Sequence, residues 1–190
     1  MKGLVLNGSP RKKGATATIL RAVATGASAA GKDVEWVDVY DLEIAPCRGC
    51  LRCRPDHECI LPEDGAHELA RKIHDADALV VGTPTYWGNV SGPLKTLFDR
   101  TVPVFEFFGE GLPRPVQKGK RAIVVVTSAA PWPYNQLASQ SRGAVRAVRT
   151  VLRSGGYRIV GTINLPGRFG KPVEVPERLL ARAERLGRRV

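Results

Sequence analysis

Five short stretches of this chain carry the hydrophobic signature of strands. Residues 3–7 (GLVLN), 78–82 (ALVVG) and 123–127 (IVVVT) are nearly unbroken apolar runs, the pattern of strands buried on both faces. Residues 34–39 (VEWVDV) alternate with period two and 159–165 alternate more weakly, as strands do when one face is wet. Helical patterns separate them. One covers 15–30 and is closed by Gly31 in the C′ position, where glycine adopts the left-handed turn most easily. Others cover 63–74 and the segment after Pro93, which carries Leu94, Leu97 and Phe98 on one face. Residues 143–154 turn Ala144, Val145, Val148, Val151 and Leu152 inward and set Arg142, Arg146, Arg149 and Arg153 on the opposite stripe. A last, arginine-rich helix is expected over 177–189. Strands alternating with helices, several of them uniformly apolar, predict an α/β fold: a doubly wound, five-stranded parallel sheet with helices on both faces. No repeat or linker divides the chain, so residues 1–190 read as a single domain.

Composition changes this picture in two places. No apolar run approaches the ~18 residues of a membrane span, and the opening MKGLVLNGSP lacks a long apolar h-region and runs straight into a strand. The expected compartment is therefore the cytoplasm, where thiols stay reduced. The net charge of +11 is unevenly spread: residues 142–190 hold twelve Lys and Arg against three Asp and Glu, and the first 141 hold seventeen against fifteen. Basicity is thus a property of the C-terminal quarter, and the arginine stripe is its clearest expression. Read alone it admits a basic nucleic-acid-binding protein. No nucleic-acid motif accompanies it, and a charged stripe opposite an apolar one is what any surface helix shows, so that reading is disfavoured.

In a doubly wound sheet, ligands bind beyond the carboxyl ends of the strands. Three loops leave those ends: 8–16 (GSPRKKGAT), 83–93 (TPTYWGNVSGP) and 127–135 (TSAAPWPYN). The first joins a strand to a helix amino terminus. Free N–H groups at Gly14, Ala15 and Thr16, the hydroxyls of Ser9 and Thr16 and the guanidinium of Arg11 make a phosphate cradle there. It is neither a Walker A loop, because Lys13 stands where the second glycine is needed, nor a G-x-G-x-x-G loop. A decoy, Gly26 to Lys32, has Asp33 in place of the hydroxyl residue. The second loop places Pro84, Thr85, Tyr86, Trp87, Gly88 and Asn89 after a buried strand, two aromatics among small residues that suit a flat heterocycle. The third, with Trp132 and Tyr134, is at most a lid.

GSPRKKGAT followed by PTYWGNVSGPLKTLFDR resembles the flavodoxin-like NAD(P)H-dependent FMN reductases, and Cys47, Cys50, Cys53 and Cys59 make the chain look like the iron–sulfur flavoproteins of that superfamily. The likeness runs from residue 1 to about residue 100 and continues as general topology. It implies flavodoxin-like strand order 2-1-3-4-5, with a cysteine-rich insertion at about 45–62. It also implies FMN, its phosphate on Ser9, Arg11, Thr16 and the backbone around Gly14 and Ala15, and its isoalloxazine against Pro84, Thr85, Tyr86, Trp87, Gly88 and Asn89. Relatives often carry Asn where Ala15 stands, which leaves only the backbone N–H at that position. NAD(P)H is the implied electron donor. A small molecule or a protein such as ferredoxin is the acceptor, and a homo-oligomer, dimer or tetramer, is the implied assembly. No side chain is nominated as acid, base or nucleophile, because the flavin carries the hard chemistry. A non-catalytic flavodoxin-type electron carrier is the remaining rival. Such carriers are highly acidic and this chain is basic.

The cysteines follow C-x2-C-x2-C-x5-C. Three at intervals of three wrap one small object and a fourth closes from the far side, which suits a [4Fe–4S] cubane. Zinc more often takes two C-x2-C pairs separated by a longer connection. Free thiols that only order the loop are a third option. A phosphatase-type cysteine is excluded, because the positions six after each Cys hold Cys53, Asp56, Cys59 and Gly65 instead of Arg. His57 reads as a solvated loop residue, and His67 and His74 as surface positions of a helix.

Overall fold

The computed structural model describes residues 1–56, 58–109, 111–167 and 174–190. Strands β1 (Lys2–Asn7), β2 (Asp33–Asp38), β3 (Ala78–Pro84), β6 (Arg121–Thr127) and β7 (Arg158–Leu165) form one sheet in the order β2-β1-β3-β6-β7. Every neighbouring pair is parallel. That is the expected doubly wound topology. The three apolar runs occupy the centre and the two weaker alternations the edges, because a central strand is covered on both faces and an edge strand is not. Strand pleating sends Leu4, Leu6, Leu79, Val81, Val124 and Val126 to one face and Val5, Val80, Ile123 and Val125 to the other.

The first face is covered by α3 (Gly65–Asp75), α4 (Gly92–Arg100) and α7 (Gln140–Ser154), which contribute Leu69, Ile73, Leu94, Leu97, Phe98, Ala144, Val148 and Leu152. The second is covered by α1 (Ala15–Ala29) and α8 (Glu177–Gly187). Each fully buried Leu, Ile or Val side chain contributes roughly 1.5–3 kcal/mol, so the central strands anchor the fold. Gly31 has φ +75° and ends α1 as expected.

Three features were not anticipated. A two-stranded antiparallel ribbon joins β4 (Glu106–Phe107) to β5 (Arg114–Pro115), after the short helix α5 (Val102–Phe105). A second short helix, α6 (Tyr134–Leu137), stands in the loop after β6, and α2 (Cys53–Asp56) interrupts the cysteine segment. Pro84 is the last residue of β3 and so belongs to the strand. Among the described residues no helix is long and apolar enough to cross a membrane.

Candidate functional site

The loop after β1 is wound tight by its own polar groups. Ser9 N–H donates to Asn7 Oδ1 (3.2 Å), Arg11 N–H to Ser9 Oγ (3.2 Å) and Gly14 N–H to the Arg11 carbonyl (2.9 Å). Asn7 is itself held by Nδ2 donation to Asp38 Oδ1 (2.6 Å). The chain then enters α1 through Gly14, and no side chain caps the helix. The first-turn amides of Ala15, Thr16 and Ala17 therefore have no acceptor among the described residues. They sit at the positive end of a 15-residue helix, where an anion is stabilised by dipole and N–H groups together. Ser9 is buried and Arg11 exposed. The Thr16 hydroxyl pairs with Thr127 Oγ1 at 2.8 Å, so at this position the amide is the group that stands free.

The loop after β3 forms a two-residue hairpin. Tyr86 and Asn89 exchange backbone hydrogen bonds (3.0 and 2.9 Å), with Trp87 (φ +51°) and Gly88 (φ +75°) at the tip. Two successive left-handed residues are what such a turn requires, and for Trp87 that conformation costs roughly 1–2 kcal/mol. Its side chain is 100% exposed, and Tyr86 is 45% exposed. A large, fully exposed apolar side chain held in a strained turn is a surface made for a ligand or a partner. The turn is fixed from below: Thr85 N–H donates to the Thr127 carbonyl (2.8 Å), and Gly88 lies against Gly143 of α7, where a Cβ would come within 1.9 Å of the Gly88 carbonyl oxygen. Asn89 Oδ1 accepts from Val90 N–H (2.8 Å). Thr85 Oγ1 is buried and has no hydrogen-bond partner among the described residues.

Sequence reading passed over Thr127 and Ser128, buried at the carboxyl end of β6 between these two loops. Their signal was position alone: polar residues directly after the IVVV run. The third loop carries a cis Trp132–Pro133 peptide and exposes Trp132, Tyr134 and Leu137. The amino terminus of α1 and the Tyr86–Trp87 turn thus lie at one end of the sheet, and the Gly14 N–H, expected to be free, is taken by the Arg11 carbonyl. Free amides, buried Ser9 and the unpartnered Thr85 hydroxyl fit a ligand with an anionic tail and a polar-edged planar ring.

The cysteines lie between a 3-10 turn (Val39–Asp41) and α3. Cys47 and Cys50 are exposed, Cys53 and Cys59 half-buried. Two sulfurs already accept hydrogen bonds, Cys47 Sγ from Gly49 N–H (3.4 Å) and Cys59 Sγ from Arg100 Nε–H (3.3 Å). Burial pushes the Cys53 thiol above its ordinary value, and the charges of Cys59, Cys47 and Cys50 add to that rise. Among the described residues no three His, Cys, Asp or Glu side chains converge as a ready-made metal site. The donor set, four soft sulfurs on one short loop, fits an iron–sulfur cluster or zinc by its chemistry.

His67 corrects an expectation: it is 8% exposed, not a surface residue. Its Nε2 lies 2.9 Å from the Cys59 carbonyl, which only accepts, so Nε2 carries the proton and Nδ1 accepts Asp64 N–H (3.1 Å). Asp64 caps α3 through Ala66 N–H. Burial alone would raise the Asp64 carboxyl; the Arg100 guanidinium and the amides of Ala45 and Ala66 outweigh it and hold Asp64 below its usual range. His74 is exposed as expected, and His57 lies outside the described residues. A cavity of about 560 Å³ opens along α3 with Cys59, His67 and Arg100 in its wall. The arginine stripe of α7 lines a separate groove of about 480 Å³ together with Thr150, Thr162 and Asn164.

A parallel sheet of order 2-1-3-4-5, with an uncapped helix amino terminus and an exposed aromatic turn at its carboxyl edge, defines a flavodoxin-like domain. The family is narrower. The chain belongs to the NADPH-dependent FMN reductase family, whose model matches residues 1–164. That family is one of flavin-dependent oxidoreductases, with FMN as the flavin. The chain is 31% identical over 190 residues to an iron–sulfur flavoprotein of Archaeoglobus fulgidus, covering 100% of this chain and 79% of that protein. With an iron–sulfur flavoprotein of Methanocaldococcus jannaschii it shares 35% identity over 104 residues, 55% of this chain and 53% of the other. It thus matches about half the length of some curated relatives. A solved NAD(P)H:quinone oxidoreductase from Methanothermobacter marburgensis superposes with a TM-score of 0.74 at 25% identity, over 99% of this chain and 94% of that one.

Proposed function

We propose that this chain is an FMN-dependent oxidoreductase that takes electrons from NADH or NADPH and delivers them to a quinone-like small molecule or an acidic protein such as ferredoxin. The observation that carries the reading is the set of unpaired first-turn amides of α1 beside buried Ser9, at the same sheet end as the exposed Tyr86–Trp87 turn. FMN bound there supplies hydride acceptance, and a [4Fe–4S] cluster on Cys47, Cys50, Cys53 and Cys59 supplies one-electron storage.

The chain's own residues bind, orient and exclude water. The amides of Ala15, Thr16 and Ala17, with Ser9 and Arg11, hold the phosphate. Thr85 Oγ1 gains at the ring's polar edge the partner it lacks. Tyr86 and Trp87 present apolar faces to the ring, and no side chain is needed as an acid or base. The exposure of Trp87, Trp132, Tyr134 and Leu137 supports a homo-oligomer, dimer or tetramer, in which a neighbouring subunit covers this end of the sheet. Among the described residues the arginine groove of α7 is lined by no acidic side chain, which supports an acidic protein as acceptor.

The test is anaerobic purification with a visible spectrum, iron analysis and stopped-flow reduction by each nicotinamide. A yellow protein that either nicotinamide reduces in milliseconds to seconds is expected. Protein that binds no FMN would end the reading. FMN with neither iron nor broad iron–sulfur absorbance would remove the cluster and leave the reductase standing.

A further inference from the structure

We propose that Arg100 is the positioning residue for Cys59, and that its N–H···S bond raises the reduction potential of the group the cysteines hold. This rests on reading those cysteines as cluster ligands. Arg100 is the last residue of α4. A basic residue there ordinarily reaches outward to interact with the helix carboxyl end. This one turns inward, its side chain 0% exposed. Nη1 donates to the Ala45 carbonyl (2.7 Å) and to Asp64 Oδ2 (2.7 Å), and Nη2 to Asp64 Oδ1 (3.1 Å). With both Nη1 hydrogens and one Nη2 hydrogen committed, the planar guanidinium points Nε–H at Cys59 Sγ, 3.3 Å away.

The four bonds reach residues on both sides of the cysteine segment, Ala45 before it and Asp64 after it. His67 adds a second hold on Cys59 by donating to its carbonyl. Cys59 is therefore fixed at both its sulfur and its main chain. Cys47 and Cys50 are exposed, and Cys47 Sγ takes its hydrogen bond locally, from Gly49 N–H. Cys59 is the anchored ligand around which the other three close. A cationic N–H at a ligand sulfur favours the more negative charge state, so reduction by one electron becomes easier, and losing that donor moves the potential downward. Lysine would keep the charge but has no fork with which to serve Asp64, Ala45 and Cys59 together.

The test compares wild type with R100K, R100Q and H67Q, all purified anaerobically, by iron content and dye-mediated redox titration at the cluster's visible absorbance. FMN content and circular dichroism verify the fold. R100K and R100Q are expected to bind FMN while showing a more negative cluster potential or losing the iron, and either variant alone is sufficient. H67Q, which removes the carbonyl hold and the Asp64 N–H bond to Nδ1 but leaves the Arg100–Cys59 bond, is expected to yield iron to a chelator several-fold faster with its potential unmoved. A folded R100K or R100Q with wild-type iron and wild-type potential would overturn this proposal alone. Iron-free wild type would instead overturn the cluster reading on which it stands.

Discussion

Replacing Gly143 by alanine sets two effects of opposite sign against each other. Gly143 lies inside α7, and by helix propensity alone alanine there should stabilise by about 0.8–1 kcal/mol. The added Cβ, however, would stand 1.9 Å from the Gly88 carbonyl oxygen, and real Cβ contacts are essentially never below 3.0 Å. The gap between α7 and the Trp87–Gly88 turn must open by at least about 1.1 Å. The atom in the way is backbone of a strained turn and cannot swing aside as a side-chain tip would. Overpacking of this kind costs about 1–3 kcal/mol. If the turn carries the isoalloxazine, part of that cost appears in binding, at tenfold per 1.4 kcal/mol. The expected outcome is FMN affinity about tenfold weaker, measured by flavin fluorescence quenching on apo-protein, with a melting temperature no higher than wild type. A variant that binds FMN within about twofold of wild type and melts higher would refute the claim that this contact positions the ring corner.

Three further outcomes are expected. T85V should weaken FMN about 10–100-fold while leaving apo-protein as stable or more so, because an unpartnered buried hydroxyl is removed from one state and a hydrogen bond from the other; titration and an apo melt read both. D64N should cost about 3 kcal/mol or more at pH 7, since the paired Arg100 side chain is fully buried. The Asp64 carboxyl is depressed in the fold, so its contribution is complete above the unfolded value near ~3.9 and vanishes as pH falls through the lower folded value. The wild-type advantage over D64N in urea melts should hold from pH 7 to 5 and close in stronger acid; a gap independent of pH down to acid unfolding would contradict it. G26A should lower the melting temperature through a loss of about 1–3 kcal/mol, because its Cβ would stand 2.0 Å from the Glu184 carbonyl oxygen of α8, and an unchanged melt would show that the two helices separate freely.

Much of this molecule is legible in the order of its residues, because its architecture follows from local periodicity. Apolar runs such as LVL, ALVV and IVVV exclude water from both faces, so they become central strands, and weaker alternations are left for the edges. The GSPRKKGAT turn declares an open helix amino terminus because no residue before Ala15 caps it. What local pattern cannot encode is which distant groups meet. Arg100 ends an amphipathic helix and reads as an ordinary exposed cation, and His67 reads as helix surface. Both are buried where Ala45, Cys59 and Asp64 come against α3 and the end of α4, with Asp64 paired to Arg100 and Cys59 bonded to both. The two-residue strands of the ribbon are too short for any periodicity to register. Sequence alone determined the sheet and its covering helices, through short-range hydrophobic spacing. The seating of the cysteine loop and the bracing of the tryptophan turn by α7 were decided only in three dimensions, where close packing and the need to pair a buried charge select among partners that lie far apart along the chain.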